Sequence, residues 1–258
     1  MAGSTPPFNV CPLVGTAGWS LPLAERGYFP AEGSHLERYS NKFKVVEINS
    51  SFHRPHRPET WAKWRDVVPP GFLFSVKLPK TITHTAKLVE VDELLKDFLL
   101  AAGNLETKLG CWLAQLPPSL TFDIPVAEAF FSRLRNFTSS AVVCEPRHAS
   151  WFTPEAEALL TQFRIARVAA DPPPVPTAAI PGGWRGLTYF RLHGSPNIYY
   201  SAYAAEFLDE LTAQLRSAAD ISSSVWCIFD NTTLGAATRD ALDLSARFQK
   251  AAPELISA

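Results

Sequence analysis

The chain has 258 residues, 47% of them hydrophobic and 19% charged, with 24 Lys and Arg against 25 Asp and Glu. That length is about what a single α/β barrel needs and suits one large domain better than two small ones. A formal net charge of −1 excludes whole-molecule attraction to nucleic acid or an anionic membrane, so any such binding must come from a local patch.

The first apolar run, Leu13 to Ala17, leads into a glycine turn, Gly15-Thr16-Ala17-Gly18, with Trp19 behind it. The turn is too short for a phosphate loop and lacks its Lys, so Trp19 is read as a wall or stacking platform at a strand end. The second run, Val45 to Phe52, carries Glu47 and Asn49. The basic and aromatic segment Phe52 to Arg57, with Trp61, Lys63, Trp64 and Arg65, follows it. Such a segment suits a solvated loop entering a helix whose Trp residues face the core, with a nucleic-acid stacking patch as the alternative. The third run, Phe72 to Leu78, ends in Lys77 with His84 beyond it, and Val91 to Ala102 then puts Leu94, Leu95, Phe98, Leu99 and Ala102 on one helical stripe.

The fourth run, Leu109 to Leu116, carries Gln115, and the fifth, Ala141 to Glu145, is followed by Arg147, His148 and Trp151. Thr153 with Pro154 and Glu155 makes a favourable helix entry. The sixth run, Arg164 to Ala170, meets Asp171 and then Pro172, Pro173, Pro174, Pro176 and Pro181 with Gly182 and Gly183, which predicts a long rigid loop in place of a helix. Leu187 to Leu192 carries Arg191 and precedes His193, and Val225 to Phe229 precedes Asp230 and Asn231. Helices over Ala204 to Ala218 and Leu234 to Gln249 complete the alternation.

The eight runs start about 30 residues apart on average, the length of one strand, one helix and two connections. Several are apolar at consecutive positions, as expected of parallel strands covered on both faces. The predicted fold is therefore α/β, a closed (β/α)8 TIM-type barrel forming a single domain with its core over residues 13–248. A doubly wound open sheet is the alternative, because periodicity carries no information on closure. The four cysteines, Cys11, Cys111, Cys144 and Cys227, form no Cys-x-x-Cys pair and are read as buried reduced thiols. No stretch approaches the roughly 20 apolar residues of a membrane span, and the first charge is Glu25, so no cationic leader region is visible. The expectation is a soluble, cytoplasmic protein.

In such a barrel the active site lies at the C-terminal strand ends, where a polar residue interrupts nearly every apolar run. Residues two apart share a face, so Glu47 with Asn49, Glu145 with Arg147, and Arg191 with His193 each enter one lumen. Lys77, Arg147 and Arg191 are three cations suited to a carboxylate or phosphate group, and His84, His148 and His193 are imidazoles suited to proton transfer. His35 is assigned to the surface of a helix. The plain alternative is a structural ion-pair network that closes the barrel mouth. A metal reading joins His53, His56, His84, His148 and His193 with Glu47, Glu145, Asp171 and Asp230, but no pair has a recognisable ligand spacing, and three cations oppose a dication.

These strand-end motifs together resemble the YecE-like proteins, a domain-of-unknown-function family with TIM-type barrels. The resemblance rests on Gly15, Thr16, Gly18, Trp19 and Ser20, on Val46 to Ser50 with Phe52, and on Pro70, Gly71, Phe72, Phe74, Val76 and Lys77 with Ile82, Thr83 and His84. It continues through Gln115 to Pro118, Glu145, Arg147, His148, Ser150 and Trp151, then Arg191, His193, Gly194, Tyr199, Ser201 and Tyr203, and ends on Asn231 and Gly235. Pro146, His53, Asp230 and Thr232 depart from the pattern, the last two changing the charge at the eighth strand. The resemblance implies the barrel and a polar mouth and carries no reaction with it.

The functional expectation is an enzyme using metal-independent acid–base chemistry on a small anionic substrate, such as a sugar phosphate or a carboxylated metabolite. Glu47, Glu145, His84, His148 and His193 form the catalytic set. Trp19, Asn49, Lys77, Gln115, Arg147, Trp151, Arg191, Tyr203 and Asn231 form the substrate-binding set. No cofactor and no metal are expected, and nucleic acid is not the favoured partner. The alternatives are a metal-dependent, endonuclease-like phosphoesterase and a non-catalytic ligand- or partner-binding barrel.

Overall fold

The computed structural model describes residues 11–249. Strands β1 (Leu13–Thr16), β10 (Val225–Phe229), β9 (Thr188–Leu192) and β7 (Ala169–Asp171) form one parallel sheet in that order. A second sheet runs β2 (Val45–Ile48), β3 (Leu73–Lys77), β4 (Leu109–Gln115), β5 (Ala141–Glu145) and β6 (Ile165–Arg167), all parallel, and ends in the two-residue antiparallel β8 (Gly182–Gly183). All eight predicted apolar runs are strands, because their side chains are covered on both faces. Every residue of β2, β9 and β10 is buried.

The sheets meet at two places. Ala17 bridges to Glu47, and the Gly18 N–H donates to the Glu47 carbonyl at 2.8 Å while the Ala17 N–H donates to that of Phe229 at 2.9 Å. Elsewhere the sixth apolar run is one stretch of chain divided between the sheets. β6 pairs with β5, Val168 interrupts the strand while donating to the Cys144 carbonyl at 2.9 Å, and β7 pairs with β9. Gly15 makes the β1–β2 approach possible, since a Cβ there would fall 2.2 Å from the Val45 carbonyl oxygen.

Helices α1 (His35–Ser40), α2 (Pro58–Asp66), α3 (Asp92–Ala102), α4 (Ile124–Phe137), α5 (Pro154–Gln162), α6 (Ala205–Ala219) and α7 (Ala236–Gln249) cover the strands. Ser34 and Glu37 close a capping box on α1, and Thr153 caps α5 through the Ala156 N–H, as its sequence predicts. The proline-rich crossover after β7 holds only the 3-10 turn Pro176–Ala179 before β8. No α-helix forms there, and an apolar cleft of about 540 Å³, lined by Ile180, Trp184, Phe190 and Ile221 among others, lies beside α6. His35 is exposed. Cys111, Cys144 and Cys227 are buried thiols, whereas Cys11 is exposed, because it precedes the first strand. No helix among the described residues is long and apolar enough to cross a membrane.

Two apolar clusters carry the packing. The larger fills the space between helices and strands. The smaller lies on the opposite strand faces and contains Val45, Leu113, Val143, Tyr189, Trp226 and Ile228, with Tyr189 stacked on Trp226 at 5.9 Å. Moving two residues along each of these strands from that floor gives Glu47, Gln115, Glu145, Arg191 and Asp230. The period-two geometry of a strand thus places a layer of charge directly on an apolar floor.

Candidate functional site

The charged layer is built around Arg191, which is wholly buried. Its Nη2 lies 2.7 Å from Glu47 Oε1 and 2.9 Å from Asp230 Oδ2, its Nε 2.9 Å from Glu47 Oε2, and its Nη1 3.1 Å from Glu145 Oε2. Tyr189 donates from below to Glu47 Oε2 at 3.0 Å and is 3.0 Å from Ser75 Oγ. Burial raises the Tyr189 hydroxyl pKa, the Glu47 charge raises it further, and the phenol stays a donor. The Arg191 guanidinium is held well above its usual range because Asp230, Glu47 and Glu145 outweigh the burial that opposes its charge. A guanidinium engaged by three carboxylates has no edge left for a ligand. Arg191 therefore neutralises the floor of the site rather than binding an anion.

One step further along the strands, His193 is also wholly buried. Its Nδ1 is 3.1 Å from Asp230 Oδ2, which orients the ring. Its Nε2 faces partners of opposite kind, first the Glu145 Oε1 acceptor at 2.8 Å and second the guanidinium donors Arg147 Nη2 at 2.5 Å and Arg191 Nη1 at 3.4 Å. A protonated Nε2 satisfies the first and a bare one the second, so both charge states of the ring find a partner without movement. Arg147 also pairs with Glu145 Oε1 at 2.6 Å. Burial pushes the Glu145 carboxyl up, but Arg147, Arg191 and His193 outweigh it and hold that carboxyl well below its ordinary range. Asp230 is likewise held down, chiefly by Arg191 acting against burial. Tyr199 sets its ring edge-on to His193 at 5.7 Å, in a loop whose Tyr199 N–H donates to the His193 carbonyl.

Some donors and acceptors remain unused. Arg147 Nε, Asn49 Oδ1 and Asn231 Oδ1 are buried without a hydrogen-bond partner. Lys77, 5% exposed, sets its Nζ 4.2 Å over the Phe52 ring, and its side chain forms no ion pair or hydrogen bond among the described residues. Burial, with the Arg191 charge adding to it, lowers its pKa to about 8 against the opposing pull of Glu47, Asp230 and Glu145. His84 meets the same Phe52 ring edge-on at 4.8 Å, and burial followed by the Lys77 charge lowers its pKa.

Glu47, Glu145, Lys77, Arg147, Arg191 and His193 thus converge, with Asn49 joining through its Nδ2 at 3.5 Å from Asp230 Oδ1. The half-buried Gln115 stands in register with Glu145. Other expected site residues have a structural place. His148 Nδ1 accepts from the Ser150 N–H and caps the following 3-10 turn. Trp151 is buried with its N–H on the Leu120 carbonyl at 2.9 Å. The Tyr203 hydroxyl accepts from the Gly194 N–H at 2.8 Å and donates to Asp171 Oδ1 at 2.9 Å. Asn231 Nδ2 serves the Ser201 carbonyl and Asp240. Half-buried Trp19 packs edge-on to Trp64 at 5.1 Å. In the basic and aromatic segment Trp61 is buried and Arg54, Arg57 and Lys63 are exposed, so the Trp residues turn toward the core.

Tyr189, Ser75 and Tyr199 belong to the arrangement although no catalytic or binding role is expected of them from sequence, and Asp230, expected only at a strand end and in the metal reading, pairs with Arg191 and His193. The period-two spacing from Arg191 and Lys77 is the signal that finds Tyr189 and Ser75. Among the described residues no group of three His, Cys, Asp or Glu side chains is arranged to hold a metal ion. The carboxylates of the charged layer, Glu47, Glu145 and Asp230, already face guanidinium or imidazole nitrogens.

A family model described as a protein of unknown function, DUF72, matches residues 13–257. The UPF0759 protein YecE of Escherichia coli strain K12 is 32% identical over 149 residues, covering 55% of this chain and 54% of that protein. The chain thus spans about half the length of the curated relatives it matches. A DUF72 family protein of Enterococcus faecalis V583 superposes with a TM-score of 0.79 at 19% identity, covering 93% of this chain and 96% of that one. One from Thermotoga maritima MSB8 gives 0.76 at 24% identity over 92% and 98%.

Proposed function

The chain belongs to the DUF72 family, and we propose that this member is a barrel enzyme that applies metal-independent acid–base chemistry to a small phosphate- or carboxylate-bearing molecule. The observation that carries the reading is His193, whose Nε2 faces an acceptor and a donor while Asp230 fixes Nδ1. That is the geometry of a ring able to hold and release a proton in place. Arg147, with its unused Nε, and Lys77, with no partner, are the cations available to an incoming anion. Arg191, Glu47 and Tyr189 form the rigid base beneath them. We read the two sheets as one closed (β/α)8 barrel, a reading supported by the Ala17–Glu47 bridge and by the shared run through Val168.

The test is calorimetric titration of the protein with inorganic phosphate, glycolate and glycolaldehyde phosphate. At least one should bind, and Arg147→Gln should weaken it about tenfold or more in a variant that still unfolds in a cooperative thermal transition. Binding indifferent to Arg147, or none at all, overturns the reading. One equivalent or more of zinc, manganese or iron in protein purified without affinity metal would replace it with the metal-dependent phosphoesterase reading.

A further inference from the structure

Lys77 stands apart from the other charges of the lumen. Arg191 meets three carboxylates, Arg147 meets Glu145, and Glu47 and Asp230 meet Arg191. Lys77 comes from the C-terminal end of β3, in the same layer, and its Nζ lies over the face of Phe52 with no hydrogen-bond partner among the described residues. Glu47, Asp230 and Glu145 act on it through space without bonding to it, and an ammonium at 5% exposure that lacks a hydrogen-bonded counter-charge is expensive to keep. A lysine that serves only stability would be expected to reach for Glu47, Glu145 or Asp230. The position is instead that of a buried primary amine on an aromatic face with the Arg191 cation nearby, and burial beside a cation activates an amine by favouring its neutral form. The pKa near 8 agrees with that geometry.

We propose that the Lys77 amine is a nucleophile that forms an imine with a small aldehyde or ketone carrying a carboxylate or phosphate group. The inference rests on the acid–base reading above and narrows its substrate to carbonyl compounds. The Nζ lone pair attacks the carbonyl carbon, the C–N bond forms, and the carbonyl π electrons pass to oxygen, which takes a proton. The nitrogen then loses a proton, the oxygen takes a second one, and the C–O bond breaks with loss of water. The product is a protonated imine, and the sum is amine plus carbonyl plus one proton giving iminium plus water. We assign the relay of these protons to His84, which packs on the same Phe52 ring with its Nδ1 2.8 Å from Thr83 Oγ1. Arg147 holds the anionic group at the far side of the site.

The experiment treats the full chain with glyoxylate, glycolaldehyde phosphate or neutral glycolaldehyde in the presence of sodium borohydride, followed by intact mass and peptide mapping. Hydride delivered to the iminium carbon leaves a stable secondary amine, heavier by the probe mass less one oxygen. The expected result is one equivalent of adduct at Lys77 with the anionic probes. At pH 7 an amine titrating near 8 has roughly two- to three-hundredfold more free base than an ordinary lysine, so Lys77 should label well ahead of surface lysines. Lys77→Met and Lys77→Arg should both lose the adduct, and Arg147→Gln should slow labelling by the anionic probes more than labelling by neutral glycolaldehyde. Adduct spread over exposed lysines at equal rates, or none at Lys77 with any probe, overturns the proposal. Titration of the same anions separates the two readings. Arg147-dependent binding without an adduct removes the imine alone, and absence of both removes the acid–base reading as well.

Discussion

Replacing Arg191 with Met should test whether the buried charge layer is a foundation of the fold. The substitution keeps a long apolar stem but leaves Glu47, Glu145 and Asp230 facing one another with Arg147, Lys77 and His193 as the remaining compensating groups. Removing one partner of a buried ion pair costs about 3–5 kcal/mol. A second estimate comes from proton uptake. A stranded carboxylate escapes by binding a proton, at about 1.4 kcal/mol for each pH unit above its ordinary pKa, or about 4 kcal/mol for a Glu at pH 7. The two agree, so Arg191→Met should lose about 4 kcal/mol at pH 7. Arg191→Lys, which keeps the charge but not the fork, should lose about half of that.

The sign of the pH dependence separates this from loss of packing. In the parent protein Glu145 and Asp230 are held below their ordinary values of 4.5 and 3.8. Their contribution is therefore complete above those values and is lost only as pH falls through the still lower folded pKa. Between pH 7 and 5 it is flat. In Arg191→Met the same carboxyls rise, the folded state binds protons more readily than the unfolded one, and stability should increase toward pH 5 by about 1.4 kcal/mol per unit for each proton taken up. Urea unfolding followed by fluorescence of the seven tryptophans at pH 5, 6 and 7 measures this. A loss under about 1 kcal/mol at pH 7, or parallel pH profiles for parent and variant, refutes the reasoning.

Gly15→Ala places a Cβ 2.2 Å from the Val45 carbonyl and should cost about 3 kcal/mol by forcing β1 away from β2, read as a fall in thermal midpoint. Gly194→Ala combines φ of +92° with a Cβ 2.8 Å from the Ser201 carbonyl oxygen, and should lower the midpoint as well as alter His193 imidazole chemical shifts. Asp240 has its pKa raised to about 6, mainly by burial. Its contribution is full below its ordinary 3.8 and is lost as pH rises through 6, so Asp240→Asn should gain on the parent by on the order of 1 kcal/mol between pH 5 and 7.5. Tyr189→Phe removes the donor beneath Glu47 and should cost about 1–3 kcal/mol, checked by urea unfolding.

Strands were the most legible part of the sequence, because runs such as Val225 to Phe229 admit no exposed face. The missing sixth helix was equally visible, since five prolines between Pro172 and Pro181 remove the donors a helix needs. Neither the break at Val168 nor the two-sheet division could be read, because both depend on strand tilt and on which neighbour supplies a carbonyl. The polar strand ends announced the site, and period-two spacing put Glu47, Glu145 and Arg191 in one layer. Which of them pair was not legible: Arg191 looks like Arg147 in sequence, yet one is spent on three carboxylates and the other keeps a free Nε. Trp151 and Tyr203 sit beside site residues in sequence, and the turn geometry that sends them into the core leaves no composition signal.

The ties around Arg191 also bear on how the chain reaches its native state. They join residues 144 and 46 positions apart in sequence, and the Asn49 link to Asp230 spans 181. Contacts of such separation form late, after the loop-closure entropy of most of the chain has been met. Until β2, β5, β9 and β10 are all in place, each of these charges remains hydrated and favours the open chain. The layer therefore rewards only the complete assembly and penalises partial ones, which sharpens the folding transition into a single cooperative event.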